Sequence, residues 1–116
     1  MIGYVTLGSN DLEKSRAFYD ALMPELGAKR IMEFGGHFTM YGTGMGQPGL
    51  AVCTPYDGNP ATAGNGTMAS IACDSRARVD ALYAKAMALG GKCEGPPGVR
   101  GEDGPQAFYG AYFRDL

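Results

Sequence analysis

The strongest constraint on the fold is a segment that occurs twice in the chain. Ile2 to Gly27 has the pattern of a short strand, a capped helix and a glycine stop, and Gly66 to Gly91 repeats this order. With Tyr4 aligned to Met68, 64 residues later, the matched pairs are Leu7 with Ile71, Asn10 with Asp74, Tyr19 with Tyr83, Met23 with Met87 and Gly27 with Gly91. Two copies of one structural unit therefore organise the chain.

The first copy predicts one strand and one helix. Apolar Val5 and Leu7 alternate with their neighbours, which predicts a strand over residues 2–8. Asn10 fits a helix N-cap, and Glu13 is its capping-box partner three residues later. Apolar residues at helical spacing then predict a helix over residues 11–23, which Pro24 and Gly27 end.

The remaining segments complete each copy. In the first half we predict strands over residues 30–34, 37–41 and 50–54, the first two joined at Gly35-Gly36. In the second half we predict a strand over 67–73, a helix over 76–89 capped by Asp74 or Ser75, a short strand over 92–94, a Gly/Pro loop over 95–105 and a strand over 106–114. The result is a single domain over residues 1–116, with module one at 1–54, a linker at 55–66 and module two at 67–116.

Composition excludes several classes of function. The 116 residues are 45% hydrophobic and 19% charged, with a net charge of −2, which gives no reason to expect nucleic acid or a membrane as a partner. The N-terminus lacks the pattern of a signal peptide. Three widely spaced cysteines, Cys53, Cys73 and Cys93, form no disulfide or zinc pattern, so we expect reduced, buried thiols in a cytoplasmic protein.

Three segments of the chain carry a family resemblance: Val5 to Tyr19 (VTLGSNDLEKSRAFY), Pro55 to Thr67 (PYDGNPATAGNGT) and Ala107 to Leu116 (AFYGAYFRDL). They resemble, in this order, the opening, an inter-module linker and a penultimate strand of the vicinal oxygen chelate superfamily, which includes glyoxalase I, bleomycin-resistance proteins and extradiol dioxygenases. The resemblance implies an α+β fold with two βαβββ modules, the second one shortened, that form a curved mixed sheet around a cavity.

The resemblance also implies where a metal ion would bind. In metal-dependent members a His on the first strand of each module and an acidic residue on the last strand of each are the ligands. Here Tyr4 and Met68 take the two His positions, Leu50 to Cys53 contains no carboxylate, and the final acidic position would lie on a strand after the turn that begins at Asp115. Since the phenol and the thioether are poor ligands, and His37 is the only histidine, we expect neither a metal nor another cofactor.

Side chains on the expected cavity face are candidates for ligand binding. They are Tyr4, Thr6, His37, Thr39, Tyr41, Met68, Ser70, Arg100, Tyr109 and Phe113. Their alternative role is simply to fill the sheet, and Arg100 could instead be solvated or paired with Glu102 or Asp103. Tyr4 and His37 are weak catalytic candidates, and we favour an exposed or half-buried His37 beside the turn.

The function expected from these features is binding of a small, partly hydrophobic molecule in the cavity between the modules, without metal. The alternatives are a lyase, isomerase or dioxygenase of the same superfamily, and an interaction module whose sheets only assemble a dimer. We expect a homodimer, because the superfamily commonly dimerises and the shortened module leaves an unpaired sheet edge.

Overall fold

A computed structural model describes all of residues 1–116, which form two compact units, Met1–Ile71 and Ala72–Leu116. The first unit contains β1 (Tyr4–Gly8), α1 (Leu12–Leu22), a 3-10 turn (Met23–Leu26), β2 (Lys29–Phe34), β3 (Phe38–Gly42) and β4 (Gly49–Cys53). The second contains α2 (Arg76–Ala88), β5 (Lys92–Arg100) and β6 (Phe108–Arg114). Neither helix is long and apolar enough to cross a membrane.

The first unit is a mixed sheet with one helix on one face. Its strand order is β1-β4-β3-β2; β1 and β4 are parallel, and the other pairs are antiparallel. Phe18, Tyr19 and Leu22 of α1 are buried together with Leu50 and Val52 of β4, which removes their apolar surface from water. The α+β class and the mixed sheet predicted from the sequence are confirmed.

The N-cap of helix α1 lies one residue later than predicted. The Asp11 side chain accepts a hydrogen bond from the Lys14 backbone N–H at 3.1 Å, so Asp11, not Asn10, is the N-cap. Asn10 instead binds the backbone of Ala61 through both side-chain atoms, at 2.6 and 3.0 Å, and so holds the linker. Ser75 caps α2, and it follows Asp11 by 64 residues, so the caps keep the register of the repeat.

The second unit pairs α2 with the β5–β6 hairpin. Leu82 and Ala86 of α2 are buried, and the Tyr109 hydroxyl of β6 donates to Asp80 of α2 at 2.6 Å. The predicted loop over 95–105 is wrong for its first part, because β5 continues to Arg100. Two register shifts between Cys93 and Gly98 accommodate the prolines. Because β5 pairs with β6 alone, the prolines, which lack a backbone N–H, do not interrupt hydrogen bonding to a second neighbouring strand.

The strand predicted over residues 67–73 does not form a ladder. Exposure still alternates along it, with Ala69, Ile71 and Cys73 half-buried and Met68 and Ser70 exposed. The equivalent strand of the first unit, β1, pairs with β4, whereas β5 and β6 of the second unit pair with each other. The pattern therefore predicted the side-chain alternation correctly, but a strand also requires a hydrogen-bonded neighbour.

A buried arginine joins α1 to β3. Arg16 is 9% exposed, and its Nε donates to the Thr39 hydroxyl at 2.9 Å while Nη2 donates to the Gly36 carbonyl at 3.0 Å. Nη1 pairs with Glu13. Thr39 is fully buried, so its hydroxyl depends on this contact.

We therefore expect Thr39→Val to lower the free energy of unfolding by about 1–3 kcal/mol, because Arg16 Nε loses its acceptor in a buried site. Urea denaturation measures the change. The exposed Thr43 provides the matched control, and Thr43→Val should change stability by less than about 0.5 kcal/mol. Equal effects of the two variants would contradict a buried hydrogen bond at Thr39.

A second polar link joins α1 to both β2 and β3. Arg30 of β2 donates to Asp20 at 2.6 and 2.7 Å, and the Tyr41 hydroxyl donates to Asp20 at 3.0 Å and to the Arg16 carbonyl at 3.2 Å. Hydrogen bonds from Arg30 lower the pKa of the Asp20 carboxyl below its ordinary 3.8. Burial, together with the bond to Asp20, raises the pKa of Tyr41 to about 12.

The lowered pKa makes the link sensitive to acid. A depressed pKa in the folded state stabilises the fold above pH 3.8, and this contribution disappears as pH falls through the folded-state pKa. We expect Asp20→Asn to lower the free energy of unfolding by about 1 kcal/mol near neutral pH, since the ion pair is partly exposed. The difference from wild type should shrink below pH 3.8. Glu102→Gln, at an exposed site, is the control, and a difference that is constant with pH would contradict this role.

Candidate functional site

The first sheet has one face that α1 does not cover. Five side chains on it form what we term the aromatic face: Tyr4, Thr6, Phe34, Phe38 and Met40. The strand register places them together, because Thr6 and Met40 both lie opposite Ala51, and Phe34 lies opposite Phe38. Side chains one residue away along each strand point towards α1.

The aromatic rings contact one another directly. Tyr4 and Phe38 pack edge to face with their centroids 5.9 Å apart, and Phe34 and Phe38 are tilted at 6.0 Å. Such pairs are each worth about 0.5–1.5 kcal/mol beyond their buried area. Tyr4 remains 53% exposed and Phe34 58% exposed. The face is therefore a packed cluster of rings with a large accessible apolar surface.

Small residues of β4 form the floor beneath these rings. Ala51 is fully buried between Thr6 and Met40. A Cβ placed on Gly49 would lie 3.1 Å from Met40 Sδ, so the glycine allows the methionine to lie flat on the sheet. Cys53 lies at the end of the same strand, and burial raises the pKa of its thiol. The floor is consequently apolar and carries no charge.

Two of the predicted ligand-binding residues lie on the opposite face. Thr39 and Tyr41 are 0% and 1% exposed and bind Arg16 and Asp20 of α1, so their side chains are not on the aromatic face. Phe38 and Met40, which alternate with them along β3, lie on the side that α1 does not cover. The physical reason is that α1 supplies hydrogen-bonding partners, so the hydroxyl groups of Thr39 and Tyr41 can be buried beneath it.

The other predicted residues of the first unit are accessible. Tyr4 and Thr6 lie on the aromatic face, and Met68 and Ser70 are exposed outside any strand. His37 lies in the turn before β3, exposed, with Nδ1 3.3 Å from the Gly35 carbonyl oxygen, as favoured from the sequence. The residues that the sequence analysis missed are Phe34, Phe38 and Met40, whose only signal was their alternation with Thr39 and Tyr41.

The three predicted residues of the second unit divide between two faces. Tyr109 lies towards α2, where it binds Asp80 and lies under Arg76, 5.1 Å from the ring centroid. Phe113 shares that side by alternation and is half-buried. Arg100 lies on the other side, with Phe108 as its cross-strand partner and its guanidinium over the Tyr112 ring. Phe108 and Tyr112 were not among the residues predicted to bind a ligand.

The side chains of this chain do not fit the metal site that the resemblance implies. Tyr4 offers only a phenol, and Met68 an exposed thioether. Of the residues from Leu50 to Cys53, only Cys53 has a donor side chain, a thiol where the resemblance implies a carboxylate. No group of three or more His, Cys, Asp or Glu side chains is placed to hold an ion.

Comparison with known proteins agrees with the fold. The family model of the Glyoxalase/Bleomycin resistance protein/Dioxygenase superfamily matches residues 1–116. No curated protein matches the chain. Among solved structures, a glyoxalase/bleomycin resistance protein from Albidiferax ferrireducens T118 is 39% identical with a TM-score of 0.83, over 99% of this chain and 90% of that one.

Two further structures are similar over the full length. The hypothetical protein SA1046 from S. aureus is 27% identical with a TM-score of 0.72, over 100% of this chain and 85% of that one. Lactoylglutathione lyase from Agrobacterium tumefaciens is 22% identical with a TM-score of 0.58, over 99% and 85%, which shows a shared fold alone. The whole-length family match and the 39% identical relative lead to one conclusion: the chain belongs to the glyoxalase/bleomycin resistance protein/dioxygenase superfamily.

Proposed function

We propose that this protein binds a small, partly hydrophobic molecule on the aromatic face, without a metal ion. The observation that supports this most strongly is the ring cluster in which the half-buried Phe38 contacts both Tyr4 and Phe34, two rings that are each more than half exposed. Exposed apolar area costs about 25 cal/mol per Å² relative to burial, so a ligand that covers these rings recovers free energy. The named relative from A. ferrireducens, a glyoxalase/bleomycin resistance protein, is consistent with this class of function.

The composition of the face indicates the kind of ligand. Rings from three strand positions present edges and faces to a planar or branched apolar group, and the buried Met40 lies beneath them as part of an apolar floor. Thr6 and the Tyr4 hydroxyl supply polar contacts at one side. A neutral, partly aromatic molecule therefore matches the face better than a strongly charged one.

No observation favours the enzymatic alternative. A general base must lie within hydrogen-bond reach of the proton that it takes. The Tyr4 hydroxyl has no hydrogen-bonding partner, and His37 contacts only the carbonyl of its own turn. We therefore keep Tyr4 as a ligand contact and assign no catalytic residue.

Titration with the neutral fluorescent probe N-phenyl-1-naphthylamine tests the binding site. Phe38→Ala removes the ring that contacts both Tyr4 and Phe34, and we expect at least about tenfold weaker binding, since a buried phenyl ring contributes about 1.5–3 kcal/mol. Tyr56→Ala, at a fully exposed aromatic outside this face, is the matched control and should leave the Kd unchanged. Unchanged binding in Phe38→Ala, or no binding by wild type, would refute the proposal.

The metal-free part of the proposal has a separate test. Equilibrium dialysis against Zn²⁺, Ni²⁺ or Mn²⁺ should show no tight stoichiometric uptake, because Tyr4 and Met68 offer only a phenol and a thioether and no group of three or more His, Cys, Asp or Glu side chains is placed to hold an ion. Probe binding should also be the same with and without EDTA. Stoichiometric uptake of an ion that Tyr4→Phe abolishes would overturn this part.

A homodimer stays a prediction. In the first unit β1 pairs with β4 alone, so one edge of this strand is free to pair with another chain. Light scattering after size exclusion should give about twice the 12.2 kDa of one chain. A monomer at micromolar concentration would count against it.

A further inference from the structure

The β5–β6 hairpin presents one arginine that differs from all the others. Five of the six arginines, at positions 16, 30, 76, 78 and 114, form an ion pair with a carboxylate. Arg100 forms none. The acidic residues close to it in sequence form no ion pair with it, since Asp103 pairs with Arg76 at 2.7 Å and Glu102 is not within salt-bridge distance of Arg100.

Arg100 is nevertheless held in one place. Its Nη2 donates to the Pro96 carbonyl at 2.6 Å, and its guanidinium carbon lies 5.6 Å from the centroid of the Tyr112 ring. This leaves four of the five guanidinium N–H donors without a protein acceptor. A guanidinium fixed on an aromatic ring loses little entropy when it binds an anion.

Two glycines bring a phenyl ring next to this guanidinium. A Cβ placed on Gly98 would lie 3.1 Å from Arg100 Nη1, and one placed on Gly110 would lie 2.7 Å from Cε1 of Phe108. Gly98 and Gly110 are cross-strand partners, so the guanidinium and the ring lie side by side on the same face of the hairpin. Phe108 is 59% exposed. We call Phe108, Arg100 and Tyr112 the hairpin site.

We propose that the hairpin site binds a carboxylate attached to a planar apolar group, such as an aromatic or arylacetic acid. The carboxylate takes two parallel hydrogen bonds from the Arg100 guanidinium, and the apolar group lies on the exposed Phe108 ring. The site needs residues of the second unit only and does not depend on the aromatic face. The outcome of its test is therefore separate from that of the neutral probe.

Binding of benzoate, measured by NMR titration of the full chain, tests the proposal against its neutral isostere benzamide. We expect benzoate to bind wild type at least about tenfold more tightly than benzamide, and Arg100→Gln to remove this difference. Arg100→Lys should restore only part of it, because an ammonium lacks the planar fork. Arg114→Gln, at an exposed arginine of the same hairpin, is the matched control and should behave as wild type.

Three results would overturn the proposal. The first is equal binding of benzoate and benzamide, or no benzoate binding, by wild type. The second is a benzoate Kd that Arg100→Gln leaves unchanged while circular dichroism shows the variant folded. The third is inorganic phosphate binding as tightly as benzoate, which would indicate a bare anion site without a role for Phe108. Weak phosphate binding together with a loss of benzoate affinity in Phe108→Ala would support the site as described.

Discussion

The polar contacts between α1 and the first sheet determine which face of that sheet is available to a ligand. Arg16 binds Thr39, and Asp20 binds both Tyr41 and Arg30. These bonds satisfy hydroxyl groups that would otherwise be costly to bury. Because side chains alternate along a strand, fixing Thr39 and Tyr41 under the helix places Phe38 and Met40 on the other face. The position of Phe38 on the uncovered face is therefore a direct consequence of the buried hydrogen bonds of Thr39 and Tyr41.

In the second unit, too, a hydrogen bond to the helix determines which face of the strand is accessible, here through a single contact. The Tyr109 hydroxyl bonds to Asp80 of α2, which directs Tyr109 towards the helix and leaves Phe108 and Tyr112 on the other side of β6. Glycines on that side let Arg100 and Phe108 lie flat. In both units, a tyrosine hydroxyl paired with a helix carboxylate sets the face on which the remaining aromatic residues become accessible.

Much of the fold was predictable from the sequence because it depends on local patterns. The repeat, the helices and most strands follow from apolar spacing and glycine stops. Two segments were not predictable from such patterns. The segment over 67–73, expected to be a strand, lacks a hydrogen-bonded neighbour. Strand β5 extends through Pro96 and Pro97 because it has only β6 as a neighbour, so no second strand needs the N–H groups that the prolines lack. Both outcomes depend on partners distant in sequence.

The candidate site was harder to predict, since it depends on the direction of side chains. Of the residues predicted to bind a ligand, Tyr4, Thr6 and Arg100 are exposed, whereas Thr39, Tyr41 and Tyr109 are directed towards helices. The usual expectation that polar residues face outwards fails wherever a helix supplies a hydrogen-bonding partner. The relevant partners are Arg16, Asp20 and Asp80. The alternation of residues along the strands does not indicate them.

The most direct measurement of ligand binding on the aromatic face is the pattern of intermolecular NOEs between a neutral aromatic probe and the protein. We predict contacts from the probe to the rings of Tyr4, Phe34 and Phe38, with none to Tyr41 beneath α1. NOEs confined to other surfaces, or contacts to the buried side of the sheet, would contradict the assignment of the aromatic face as the ligand site.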